Sequence, residues 1–109
     1  MIIHLRGRVA EGRWEDLVSF LDQAIPFYEG PGGIKVRLLR DIADPDAFVE
    51  VIEYDDAESY AADQRRVASD PAMVSRLGQW RSLLAGPPEV CTFRDVTPPT
   101  GSVESGAPR

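Results

Sequence analysis

The pattern of apolar and polar residues predicts four β-strands: the first and the last show the two-residue alternation of a strand, and the second is rich in branched aliphatic residues. The first covers residues 1–9, and the others cover residues 34–40, 48–54 and 89–96. Only residues 41–47 separate the second stretch from the third, and residues 44–46 are an Asp-Pro-Asp turn sequence. So short a connection predicts an antiparallel hairpin between these two strands.

After the first strand, the apolar residues recur at steps of three and four, which indicates an amphipathic helix over residues 11–29. Pro26 lies inside this helix and has no amide hydrogen, so we expect a kink or a looser turn near residues 22–25. The Gly-Pro-Gly-Gly sequence at 30–33 ends the helix. The apolar stripe consists of Trp14, Leu17, Val18, Leu21, Ala24, Ile25 and Tyr28.

A pair of helices is predicted between the third strand and the last. Asp55, followed three residues later by Glu58, has the spacing of a capping box at the start of the first helix. Asp70 suits the N-cap of the second helix, and Pro71 suits its first helical position. The Gly-Pro-Pro sequence at 86–88 ends this second helix.

The resulting order predicts an α+β domain over residues 1–96, with a ferredoxin-like β-α-β-β-α-β fold. A four-stranded antiparallel sheet would have its helices on one face and its first and third strands at the centre. The other face would be uncovered, and an uncovered sheet face favours pairing with a second copy as a homodimer. Residues 97–109 are rich in Pro, Gly, Ser and Thr and are predicted to be a disordered tail.

Charge and composition narrow the possible partners. A formal net charge of -6 argues against nucleic acid, whose recognition needs clustered Lys and Arg. The sequence shows no membrane span and no signal sequence, so we expect a cytoplasmic protein without a membrane partner. One histidine and one cysteine predict no metal site, and the absence of a phosphate-binding glycine motif predicts no cofactor.

The candidate catalytic residue is His4, the one side chain whose ordinary pKa lies near neutrality. In a pocket lined by the sheet, it would act as a general base that takes a phenolic proton. The alternative is a polar strand residue that is partly exposed or lies at the dimer seam. A lone histidine without an orienting partner favours this alternative.

Three arginines on different strands, Arg6, Arg37 and Arg94, are candidate ligands for an anionic substrate such as an enolate or a carboxylate. Cross-strand ion pairs with Glu50, Glu53 or Asp95 are the favoured explanation of the same arginines, because acidic residues are equally available on those strands. Tyr54, at the end of its strand, is a candidate for the mouth of a pocket. Trp80 is a candidate pocket residue, although an aromatic residue at helical spacing is more often part of the core.

The stretch 53–60, with the sequence Glu-Tyr-Asp-Asp-Ala-Glu-Ser-Tyr, is followed by Arg65-Arg66, Asp70-Pro71 and Trp80. This succession resembles the dimeric α+β barrel superfamily, in particular its antibiotic-biosynthesis-monooxygenase-like and NIPSNAP-like domains. The resemblance implies a homodimer with a ligand pocket between sheet and helices in each subunit. Some relatives are cofactor-independent oxygenases of polycyclic phenols or quinones, and others degrade haem.

Gln64 stands where monooxygenase-like members often have a histidine, and the absence of a helical histidine argues against haem. The Asp-Pro turn with nearby arginines is closer to the NIPSNAP-like pattern. One hypothesis is therefore a small enzyme that acts on a small hydrophobic ring compound, either as a cofactor-independent monooxygenase-like oxygenase or as an isomerase or cyclase-like catalyst. The alternatives are a non-catalytic ligand-binding or accessory dimerisation module, and a structural domain whose open sheet face is fully used in pairing.

Overall fold

The structure, a computed structural model, describes residues 1–99 of the chain. The predicted tail therefore lies outside the described residues except for residues 97–99, which form neither helix nor strand. In the described part, no helix has both the length and the apolar character that a membrane crossing requires.

The elements follow one another in the predicted order, and all strand pairings are antiparallel. The sheet has four strands in the spatial order β2-β3-β1-β4, which confirms both the α+β ferredoxin-like fold and the central places of β1 and β3. The elements are β1 (Ile2–Arg8), α1 (Trp14–Glu29), β2 (Ile34–Arg40), β3 (Ala47–Tyr54), α2 (Ala57–Ser69), α3 (Pro71–Ser82) and β4 (Glu89–Phe93).

The last strand is shorter than predicted, because β4 ends at Phe93 and not at residue 96. β4 pairs only with β1, and Phe93 lies opposite Ile2, the first residue of that strand. Beyond this pair β1 offers no further backbone partner, so the ladder ends.

The register of the strands assigns each side chain to one of two faces, because residues directly opposite each other share a face. Leu5 pairs with Glu50, and both face the helices. His4 pairs with Val51, and both belong to the face turned away from the helices, called here the open face. The open face carries Ile2, His4, Arg6, Arg37, Leu39, Val49, Val51, Glu53, Cys91 and Phe93.

The core lies between the helix-facing side of the sheet and helices α1 and α3. Leu17 and Leu21 of α1 and Met73 of α3 are buried against Val36 and Phe48 of the sheet. Removing a leucine or methionine side chain from such a core costs about 2–5 kcal/mol, so these contacts dominate the packing of the helices.

Helix α1 continues through Pro26 to Glu29, so the helix is not interrupted at the predicted kink. Pro26 is exposed to solvent, whereas Ala24 and Tyr28 are buried on the opposite side of the helix. The packing of this buried stripe offsets the backbone hydrogen bond that proline cannot donate.

The N-cap of α2 is Asp56 and not the predicted Asp55, since the Asp56 carboxylate accepts a hydrogen bond of 2.8 Å from the Ser59 amide. Asp55 still belongs to the preceding connection, because its own amide donates to the Gly33 carbonyl. The predicted start of α3 is confirmed: Asp70 accepts from the Ala72 amide at 2.9 Å, and the helix begins at Pro71.

The turn between α1 and β2 depends on two glycines in the left-handed region, Gly32 (φ 84°) and Gly33 (φ 74°). Gly33 also packs directly against the first turn of α2, so an alanine Cβ there would overlap the Ser59 hydroxyl. At Gly32 an added Cβ would meet nothing within 4 Å. The close approach of the turn to α2 therefore requires a glycine at position 33 but not at position 32.

Gly33→Ala and Gly32→Ala should differ in stability because they share the backbone strain but not the overlap. Each should lose about 1–2 kcal/mol from the left-handed backbone, and Gly33→Ala roughly 1 kcal/mol more from displacing Ser59. Urea unfolding followed by tryptophan fluorescence measures both. Equal losses, or no recovery in the Gly33→Ala/Ser59→Gly double variant, would contradict the contact.

Candidate functional site

A cavity of about 460 Å³ lies between the helix-facing side of the sheet and the helices. This volume is in the range of about 300–1,000 Å³ that small-molecule sites occupy. Much of the lining is aliphatic or thioether, which suits a hydrophobic ligand. These apolar lining residues include Ile3, Leu5, Val36, Ile52, Met73 and Leu77.

Three polar groups from three different elements are buried in the lining of this cavity: Tyr28 of α1, Glu50 of β3 and Trp80 of α3. Their residues are only 8%, 4% and 5% exposed. Among the residues that the structure describes, the Tyr28 hydroxyl, the Glu50 Oε1 and the Trp80 Nε1 have no hydrogen-bond partner. Buried polar atoms without partners are rare, and their convergence on one cavity points to a ligand.

Burial raises the pKa of Glu50 to about 7, because the surrounding apolar side chains disfavour the charged carboxylate. The indole N–H of Trp80 opposes this change and lowers the pKa, although the two groups do not reach hydrogen-bond geometry. The Glu50 carboxyl can therefore gain or lose a proton near neutral pH, which is the property of a general acid or base.

Tyr28 is the second titratable group of this cluster. Burial is the main cause that raises its pKa to about 12, and the nearby Glu50 adds to it. The hydroxyl consequently stays protonated at neutral pH and is available as a hydrogen-bond donor. Together with the Trp80 N–H, it supplies two donors next to one carboxyl group.

A separate polar cluster of the cavity is centred on Asp63 of α2, and both of its carboxylate oxygens have neighbours of opposite polarity. The Tyr54 hydroxyl donates to Asp63 Oδ2 at 2.5 Å, and the Arg66 guanidinium lies 3.7 Å from Oδ1. Burial, and then this hydrogen bond, raise the pKa of Tyr54 above its usual range. Asp63 therefore orients Tyr54 through Oδ2, while its Oδ1 lies in an ion pair with Arg66.

Arg66 connects this cluster to the end of α1. Its guanidinium donates to the carbonyls of Phe27 and Tyr28 at 2.9 Å and 3.1 Å. These carbonyls belong to the last turn of α1, which has no basic residue of its own. A positive charge is favourable there, because the C-terminus of a helix carries partial negative charge.

The sequence-derived candidates fall into two groups. Tyr54 and Trp80 line the cavity, and their roles as ligand-binding residues stay predictions. His4, Arg6 and Arg37 do not line it, because strand alternation turns all three to the open face. His4 and Arg37 flank Val51 in one cross-strand row of that face.

The expectation of three arginines in one cavity is therefore not met. Arg94 is exposed beyond the end of β4 and does not line the cavity. Arg37 instead makes the expected cross-strand ion pair with Glu53 at 3.0 Å, with both side chains well exposed. Such exposed pairs contribute at most about 1 kcal/mol.

His4 lies in an apolar setting on the open face, with its ring centroid 4.7 Å from that of Phe93. Its Nδ1 is buried and has no hydrogen-bond partner among residues 1–99. The catalytic role predicted for His4 stays a prediction, and any such role would lie on the other side of the sheet from the cavity.

Sequence reasoning missed the functional potential of Glu50, Asp63 and Tyr28. A signal for Glu50 was present in the pattern of β3, where Phe48, Ile52 and Tyr54 share its parity. A carboxylate in a position between buried apolar residues of one strand face is costly unless it has a function or a partner.

A second hollow, of about 210 Å³, lies between the 30–33 turn and α2. Two of its polar groups are already used within the fold: Asp56 caps α2, and Arg66 binds the carbonyls of α1. It is the weaker candidate for a ligand site for this reason. Residues 1–99 also contain no cluster of His, Cys, Asp or Glu that could hold a metal ion.

Comparison with known proteins identifies structural neighbours. A Bordetella bronchiseptica protein, provisionally named an antibiotic biosynthesis monooxygenase, is 25% identical, with a TM-score of 0.66 over 88% of this chain and 96% of its own. SnoaB, a cofactor-independent oxygenase from Streptomyces nogalater crystallised as a variant, is 18% identical, with a TM-score of 0.69 over 90% and 96%. The chain therefore shares the fold of these antibiotic-biosynthesis-monooxygenase-like proteins.

A third neighbour, a Nitrosomonas europaea protein with the same provisional name, is 13% identical, with a TM-score of 0.71 over 88% of this chain and 98% of its own. At identities this low, the structural likeness establishes a shared fold and does not establish a shared activity. No protein-family model matches the chain, and no curated protein matches it significantly.

Glu50→Gln should remove one specific part of the pH dependence of stability. The folded protein holds the Glu50 proton up to about pH 7, whereas a glutamate ordinarily loses it near 4.5. The folded state is therefore disfavoured as pH rises through this window, by roughly 3 kcal/mol in total. Glutamine, which stays neutral, should gain about that much relative to glutamate between pH 4 and pH 8.

Urea unfolding at pH 4, 6 and 8 measures this difference between the variant and the wild type. Glu15→Gln is the control, since Glu15 is an exposed glutamate in the first turn of α1 and does not line the cavity. A constant difference between wild type and Glu50→Gln across these pH values would show that burial does not raise the pKa of Glu50.

Proposed function

We propose that the chain is a homodimeric, cofactor-independent monooxygenase-like enzyme that oxidises a small hydrophobic ring compound in the cavity. The observation that carries this proposal is the convergence of Tyr28, Glu50 and Trp80, all buried and without partners, on an otherwise largely apolar space. Enzymes of small hydrophobic substrates use this arrangement, in which few polar groups orient a ligand held by apolar contacts.

The aromatic lining supports a ring-shaped ligand. Tyr54 and Tyr60 meet edge to face with centroids 5.2 Å apart, and Trp80 belongs to the same lining. Aromatic rings prefer offset-stacked or edge-to-face neighbours, and such pairs add about 0.5–1.5 kcal/mol beyond the burial of surface. A planar ring compound would find matching surfaces here.

The proposed chemistry needs no cofactor, because molecular oxygen is the oxidant and the substrate supplies the electrons. A ring methylene loses its two hydrogens and becomes a carbonyl. One atom of molecular oxygen becomes the carbonyl oxygen, and the other leaves as water with the two hydrogens. SnoaB, which shares the fold, is itself a cofactor-independent oxygenase. This neighbour supports the choice of reaction class.

The position of His4 favours a second candidate function. The one histidine of the chain faces away from the cavity, and Gln64 lines the cavity where related domains often have a histidine. A cavity without an imidazole would suit a non-catalytic ligand-binding or accessory module of the NIPSNAP-like kind. Binding without turnover is the property that separates this candidate from the enzyme.

The open face supports pairing of two copies. Leu39 and Phe93 on this face are 46% and 41% exposed in the single chain. Arg6, Arg37 and Glu53 lie on the same face, so opposite charges are available to a second copy. A domain of this size buries a modest core by itself, and a sheet-to-sheet interface would add to it.

Oxygen uptake with a panel of anthrones, naphthols and hydroquinones tests the enzyme. We expect uptake with at least one compound, unchanged by EDTA, and a roughly 100-fold lower kcat/KM in Trp80→Phe, because the N–H donor to the developing oxyanion is lost. Trp14→Phe is the control, as Trp14 packs under Arg40 outside the cavity.

Thermal stabilisation by panel compounds without any oxygen uptake would favour the binding module over the enzyme. Equal losses of activity in Trp80→Phe and Trp14→Phe would contradict a role for the cavity in the reaction.

Light scattering coupled to size-exclusion chromatography tests the homodimer. We expect a dimer at micromolar concentration, and a monomer for Val49→Lys, which adds a cation beside Arg6 at the centre of the open face. Ile42→Lys is the control, because Ile42 is fully exposed in the β2–β3 connection. A monomeric wild type, or a Val49→Lys variant that stays dimeric, would contradict pairing through the open face.

A further inference from the structure

We propose that Glu50 is the general base of the cavity and that the ligand is a neutral ring ketone with an acidic C–H group, whose enolate oxygen is bound by Trp80 and Tyr28. This inference rests on the proposed function, since it assumes that a ring compound occupies the cavity. It goes further by assigning the proton transfer to one carboxyl oxygen and the developing charge to two named donors.

The hydrogen-bonding inventory of the three groups selects the ligand chemistry. An indole N–H can only donate, so Trp80 requires an acceptor on the ligand. An ionised carboxylate can only accept, so Glu50 requires a donor or an acidic hydrogen. A ring ketone with an acidic C–H group satisfies both requirements in one molecule, and its carbonyl oxygen can also accept from the Tyr28 hydroxyl.

Glu50 is the only carboxylate of the described cavity lining with an unengaged oxygen. Both oxygens of Asp63 have partners, Tyr54 on one side and Arg66 on the other. The Glu50 Oε1 is buried and has no partner among residues 1–99. Its pKa of about 7, raised by burial, matches a base that must work near neutral pH.

The proton transfer leaves the charge of the cavity unchanged. Glu50 Oε1 takes the proton, the C–H bond breaks, and its electron pair passes into the ring to give an enolate. One negative charge is therefore present before the step on Glu50 and after it on the enolate oxygen. The step therefore buries no additional charge, and the site has mainly to stabilise the enolate oxygen. The Trp80 N–H and the Tyr28 hydroxyl stabilise it by donating hydrogen bonds.

The groups around Glu50 determine how the rate should depend on pH. The titratable or charged groups of the lining come from the helices and from β3: Tyr28, Tyr54, Tyr60, Asp63 and the exposed Arg81. β1, β2 and β4 contribute only uncharged lining residues. Because the pKa values of Tyr28 and Tyr54 are raised, the titration near neutrality belongs to Glu50.

Hydrogen–deuterium exchange in D₂O without oxygen tests the proton transfer by itself. The probes are 2-tetralone, 1-indanone and anthrone, whose acidic ring hydrogens are followed by proton NMR. We expect the wild type to accelerate exchange of at least one probe. General base catalysis is worth roughly 100-fold or more, so Glu50→Gln should lose at least that factor, and Glu15→Gln, an exposed glutamate outside the cavity, should match the wild type.

The wild-type pH profile gives a readout that needs no variant. After subtraction of the uncatalysed rate, exchange should rise about tenfold per pH unit below pH 7 and level off above it. Glu50→Asp keeps a carboxylate but withdraws it by one methylene, so it should retain part of the rate and a rising profile.

The outcomes separate this inference from the proposed oxygenase. Exchange without oxygen uptake when air is admitted would support the base and overturn the oxygenase. Oxygen uptake that persists in Glu50→Gln would overturn the base and leave the oxygenase intact. Absence of wild-type acceleration with all three probes, unchanged exchange in Glu50→Gln, or a flat pH profile would each overturn the assignment of Glu50.

Discussion

The antiparallel ladder between β1 and β3 determines what each side of this molecule can do. Its register places Leu5 opposite Glu50 and His4 opposite Val51, so neighbouring residues of one strand belong to different surfaces. A slip by one residue would exchange every side chain between the cavity and the open face. The ladder is therefore the constraint that separates the residues that line the cavity from the residues of the open face.

Much of the architecture could be predicted, because it follows from periodicity. The two-residue and 3.6-residue periods gave the order of elements, and right-handed crossovers gave the central strands. The cap of α2 was displaced by one residue, since Asp55 and Asp56 are equally good caps by sequence. What decided between them was the tertiary hydrogen bond from the Asp55 amide to Gly33, which no local pattern reveals.

The site was predicted only in part, for a related reason. Tyr54 and Trp80 were predicted as pocket residues because aromatic residues near the ends of strands and helices often lie beside a ligand. Glu50 was interpreted as an ion-pair partner for arginines, because acidic residues usually lie at the surface. Its burial depends on tertiary packing, which brings Trp80 of α3 into the same cavity lining. His4 was predicted to be catalytic because the pKa of a histidine lies near neutrality. Its position in β1, one residue from Leu5, already assigned it to the face opposite the cavity.

The contact of Arg66 with the last carbonyls of α1 has a consequence for folding. The end of α1 carries Tyr28, and the positive charge that stabilises this end comes from α2. The same arginine lies beside Asp63, which holds Tyr54 at the end of β3. Two walls of the cavity thus share one guanidinium, and we expect them to form in a single cooperative step, with no partly built cavity along the way.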